Sequence, residues 1–92
     1  MTDKDTITKY LEKMQLWQRM AQGIADVSIS LETRSRGIIV TIMPRLATGD
    51  AIRTDDGDLV CKSFGVWESG SEKDNEQAML AAYGFLKEYA VL

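Results

Sequence analysis

Two apolar periods divide this chain. From Ile7 the large apolar residues recur at helical spacing. At about 100° per residue, Ile7, Tyr10, Leu11, Met14, Trp17, Ala21 and Ala25 fall on one arc. That pattern predicts an amphipathic helix ending near Gly23, with Thr2 and Asp5 as a capping box and Thr6 as an alternative start. At Asp26 the period changes to two. Val27, Ile29 and Leu31 alternate with Asp26, Ser28, Ser30 and Glu32, the mark of a strand with one buried face.

Arg34-Ser35-Arg36-Gly37 predicts a turn, and Ile38 to Met43 a returning β-branched strand. Parity constrains their pairing. An even loop centred on Ser35-Arg36 sets Leu31 opposite Val40 and Ile29 opposite Ile42, whereas an odd loop would set Ile29 against Thr41. In the even register Ile39 and Met43 point away from the core.

Pro44 has no N–H to donate and closes this strand. Asp56-Gly57 marks a tight turn, leaving Ala51 to Thr54 as a short candidate fourth strand. Leu59 to Trp67 reads as a strand with two candidate inward faces: Val60, Phe64 and Val66 with Lys62, or Leu59, Cys61 and Trp67. Gly65 could mark a bulge that switches between them. A second helix starts near Ser71 or Asp74, with a core stripe of Ala78, Ala82, Phe85, Leu86 and Tyr89. The expected fold is α+β. A helix, an antiparallel meander of three or four strands and a second helix form a two-layer sandwich, with both helices on one sheet face.

Composition changes this picture little. Ninety-two residues, 45% apolar and 27% charged, make one domain spanning residues 1–92. The single cysteine, Cys61, excludes an internal disulfide and reads as a packed strand residue. The polar start and the lack of a long apolar run predict a cytoplasmic protein with no membrane partner.

Charge is more informative. Residues 34–54 carry four arginines against Asp50 alone, whereas residues 55–92 carry three lysines against eight acids. Arg34, Arg36, Arg45 and Arg53 are therefore the candidate anion- or nucleic-acid-binding residues. In a meander Arg34 and Arg36 lie at one end and Arg45 at the other, some ~20 Å apart at the usual strand rise.

The element order resembles that of double-stranded RNA-binding domains, and Ser71, Lys73, Ala78 and Ala81 are similar to that family's last helix. The resemblance implies phosphate binding by a basic pair at the helix start. Here Glu72 precedes Lys73, Asp74 and Glu76 follow, and the first turn lacks the family's Pro and His. Like charge at that helix start repels a phosphate backbone.

Catalytic chemistry finds few carriers. The chain has no histidine, which removes the commonest general base and transition-metal ligand. The acids around Gly57 miss the EF-hand spacing, because position one would be Ile52. No glycine pattern matches a phosphate-cradling loop. The expectation is no enzyme, cofactor or metal site.

What remains are apolar residues on outer faces. Leu16 and Met20 lie opposite most of the first helix's core stripe, and Leu80 is similarly placed on the second. Paired exposed apolar residues point to a partner surface. Leu16, Met20, Ile39 and Met43 are the candidate contacts with another protein chain, with Trp17 as an aromatic anchor beside them. The sequence thus ranks a self-associating interaction module, acting as a regulator, inhibitor or accessory subunit, above a weak nucleic-acid binder.

Overall fold

The computed structural model describes residues 1–89. Its elements are α1 (Lys4–Met20), β1 (Ala25–Glu32), β2 (Gly37–Pro44), β3 (Lys62–Trp67) and α2 (Glu72–Tyr89). The strands form one antiparallel sheet in the order β1-β2-β3, so the most apolar strand is central. Its alternate residues Ile38, Val40 and Ile42 are buried together with Val27 and Val66 from its neighbours. Met14 and Trp17 of α1 and Met79, Ala82, Phe85 and Leu86 of α2 pack on that face. The expected α+β sandwich, with both helices on one face of the sheet, is the observed fold.

The hairpin parity is as read, but the register differs by two residues. Ile29 pairs with Val40, Leu31 with Ile38 and Val27 with Ile42, around a four-residue loop, Thr33–Arg36. A shift of two leaves every side chain on its expected face. Arg36 takes the left-handed conformation (φ 50°), and its carbonyl accepts from the Glu68 backbone N–H. Contacts with the β3 end therefore help fix a turn that local sequence centres one residue further on.

Several boundaries also move. Asp3, not Thr2, caps α1, accepting from the Thr6 N–H at 2.8 Å. The helix stops at Met20 rather than near residue 23, and Gly23 supplies a positive φ (83°) in the turn to β1. The third strand starts at Lys62 instead of Leu59, and Gly65 pairs regularly with Ile39, without a bulge. Phe64 and Val66 face the helices, with Lys62 on the same parity. Residues 51–54 make only isolated bridges, so the sheet has three strands among the described residues.

Thr2 has a different task. Its hydroxyl donates to the Gly70 carbonyl and accepts from the Asn75 amide at 2.7 Å. Asn75, also buried, accepts from the Trp67 N–H and donates to the Trp67 carbonyl. This network ties the chain start to the β3–α2 turn, leaving no buried side-chain polar atom unpaired among the described residues.

Candidate functional site

Two surfaces expose the outward-pointing apolar residues, one on each side of the molecule. The first is a groove of about 350 Å³ between the helices, lined by Leu16, Trp17 and Met20 of α1 and Met79, Leu80 and Tyr83 of α2, with Lys13 at its edge. The α1–α2 packing that exists is aromatic: the Trp17 and Tyr83 rings stack at 5.8 Å with 24° between their planes. Above that stack Leu16 is 43% exposed, Met20 47%, Tyr83 37% and Leu80 71%. Helical spacing explains the convergence. Leu16 and Met20 are one turn apart, as are Leu80 and Tyr83, and each pair lies beyond its helix's core stripe.

Sequence reasoning flagged Leu16, Met20 and Leu80 individually; the fold places them in one groove. Trp17, read as the edge of the core stripe and as an anchor beside Met20, is core and only 4% exposed. It forms the groove floor, because the shift from Met14 to Trp17 carries it toward α2. Tyr83 and Met79 were missed. Tyr83 follows Leu80 at i+3, a spacing that could have revealed it.

Charge runs along this surface. Glu76 and Tyr10 line an adjoining hollow at one end. Burial, with the Glu76 and Glu72 charges, raises the Tyr10 hydroxyl pKa above its ordinary value. At the other end the Lys87 ammonium lies 5.3 Å from the Tyr83 ring centre.

The second surface is the sheet face away from the helices, carrying Ile39, Thr41 and Met43. It is partly self-covered. The Trp67 indole lies across Gly37 and Gly65, where an added Cβ would stand 2.0 Å and 3.0 Å from ring atoms. Ile39 and Met43 are half-buried, and the Thr41 and Ser63 hydroxyls hydrogen-bond at 2.8 Å. These residues lie on the opposite side of the sheet from Leu16 and Met20, so the expected contacts form no single site.

The arginines do not converge either. Arg45 follows β2 and bonds Asp26 through Nε at 2.9 Å and also through Nη2, while Nη1 donates to the Gly49 carbonyl. This ion pair holds the Asp26 carboxyl below the usual carboxylate range. Arg53 donates to the Gly57 carbonyl, closing its own turn. Arg34 and Arg36 are exposed in the β1–β2 loop at the far end of the sheet.

Cys61 corrects an expectation. It precedes β3 on the parity of the open face and is exposed rather than packed. Among the described residues no three His, Cys, Asp or Glu side chains converge to hold a metal ion, and no helix is long and apolar enough to cross a membrane. No protein-family model, curated protein or solved structure matches the chain.

Proposed function

We propose that this protein is a non-enzymatic interaction module that self-associates through the groove between α1 and α2, acting as a small regulatory or accessory subunit. The observation that carries this reading is the convergence of Leu16, Met20, Leu80 and Tyr83 over the Trp17–Tyr83 stack. Scattered single apolar residues are normal on a surface; four from two helices around one groove are a patch. The missing histidines support the non-enzymatic part.

A second copy suits this face because along α2 an acid, Glu76, precedes Leu80 and Tyr83 and a base, Lys87, follows them, although Lys13 of α1 also lines the Glu76 end. Two such surfaces related by a two-fold axis bring unlike ends together. Full burial of Leu16 or Met20 contributes about 1.5–3 kcal/mol each, set against the ordering costs of association. Changing both to serine tests the reading. It predicts loss of self-association in gel filtration with light scattering and only a small change in melting temperature at concentrations where the wild type is monomeric. A large fall in melting temperature would instead make these residues intrachain core.

The nucleic-acid alternative has less support. Two of its four arginines are engaged within the chain, Arg45 with Asp26 of β1 and Arg53 with the Gly57 carbonyl of its own turn, leaving Arg34 and Arg36 at one loop. Salt-sensitive binding of duplex RNA that is lost on neutralising those two would favour it.

A further inference from the structure

We infer that α2 packs antiparallel against α2 of a second copy, with the two-fold axis passing between Ala81 and Ala82 and each Glu76 facing the partner's Lys87. This deepens the self-association reading and rests on it. The inference comes from the order of residues along one helix face.

Glu76, Leu80, Tyr83 and Lys87 follow one another at steps of four, three and four. Such steps keep all four on one stripe, flanked by Met79 on the groove side, while Ala82, Phe85 and Leu86 turn to the core. The spacing reads the same in both directions. Reversed about its midpoint, the stripe places Glu76 opposite Lys87 and Leu80 opposite Tyr83. The charged ends lie eleven residues apart, about 16 Å at the helical rise, so they cannot pair within one helix. Among the described residues neither makes an ion pair in its own chain. A parallel arrangement would oppose glutamate to glutamate and lysine to lysine. Only the antiparallel one matches both the charges and the apolar centre, and it is isologous, as a closed dimer requires.

Gly84 adds an independent observation. It stands one turn after Leu80 on the same exposed face, in the interior of an 18-residue helix. Glycine weakens helix interiors. Nothing within the chain requires it, since its φ is not positive and a Cβ there would meet no atom within 4 Å. A closely approaching second helix gives that position a use, because a missing side chain lets two backbones come together. A standard interface takes about 800 Å² from each partner, roughly an eighth of the 6105 Å² exposed here.

Sedimentation equilibrium on the full chain separates the possibilities, with melting curves to verify folding. Glu76→Lys and Lys87→Glu should each weaken dimerisation about tenfold, as two attractive pairs become repulsive, and the double exchange should return it within about threefold of wild type. Gly84→Ala should raise the melting temperature of the monomer and yet weaken dimerisation. If Leu80→Ser abolishes association but the charge variants leave it unchanged, the groove is the interface and this pairing is wrong. A double exchange as weak as the single ones overturns the pairing too. A wild-type chain that stays monomeric at all concentrations overturns both the pairing and the self-association reading.

Discussion

The two faces of this molecule both expose apolar side chains, and they handle them differently. On the open sheet face the chain covers its own: Trp67 lies on Gly37 and Gly65, Ile39 stays half-buried, and Thr41 and Ser63 satisfy each other. On the helix layer Leu16, Met20, Leu80 and Tyr83 remain more than a third exposed, even with Trp17 stacked on Tyr83 and Lys87 beside its ring. An outward-pointing apolar residue therefore points to a partner only where the chain has not already used it. Ile39 and Met43 are weaker candidates than Leu16 and Met20 for that reason, though the period-two pattern flagged both pairs alike.

The sharpest way to break this contrast is to add a methyl at Gly37. Its Cβ would sit 2.0 Å from the indole of Trp67, so Gly37→Ala must displace the ring from the sheet. We expect a loss of about 1–3 kcal/mol of stability by urea unfolding, with the upper half favoured because the neighbour is a rigid ring. Removing the ring itself, Trp67→Ala, should cost a similar or larger amount and leave self-association unchanged. Association that fell with either change, at a concentration where the monomer stays folded, would move the interface to the sheet.

Asn75→Leu is expected to cost about 1–3 kcal/mol, since it leaves the Trp67 N–H without its acceptor and removes one donor each from the Thr2 hydroxyl and the Trp67 carbonyl, which keep only their bonds to Gly70. This tests the link between the chain start and the Trp67 corner. Hydrogen exchange at the Trp67 amide should accelerate in the variant well before the core strand β2 does.

Cys61 gives a smaller effect on the sheet side. Native-state labelling by a thiol reagent should be stoichiometric and as fast as in the unfolded chain, because exposure alone decides access. Slow labelling would mean that something covers this edge. The smallest effect is acid sensitivity at the α1 cap. The Thr6 N–H holds the Asp3 carboxyl below its ordinary value of 3.8. The cap's contribution is therefore complete above pH 3.8 and fades as pH falls through the lower folded-state value. The Asp3 carboxyl resonance, followed by NMR, should titrate below the free-acid range, and Thr6→Pro should reduce the shift, leaving the smaller effects of the Asp5 N–H and Lys9.

How much of this was legible in the sequence follows from how local each signal is. Helical and alternating periods are local, and they revealed the element order, the shared sheet face and the outer position of Leu16 and Met20. The hairpin register was not local: its turn also meets the end of β3, where the Glu68 N–H donates to the Arg36 carbonyl from 32 positions along the chain. Thr2 looked like a cap because Asp5 stands three residues on, but its true partner, Asn75, is 73 positions away. Cys61 looked packed by residue type; the parity of β3, settled by Phe64 and Val66 meeting the helices, turns it outward. The groove was visible only as separate halves, since neither helix's period says which side of it meets the other.

The central claim is that the helix groove is a self-association surface, and the most direct measurement is sedimentation equilibrium over a wide range of protein concentration. It should compare the wild-type chain with Leu80→Asp, a change at the most exposed apolar position of the groove. The account predicts a wild-type mass rising from monomer to dimer and a variant that stays monomeric yet folded, melting close to wild type at concentrations where both are monomers. A wild-type chain that sediments as a monomer throughout, or a variant that dimerises as well as wild type, would contradict it.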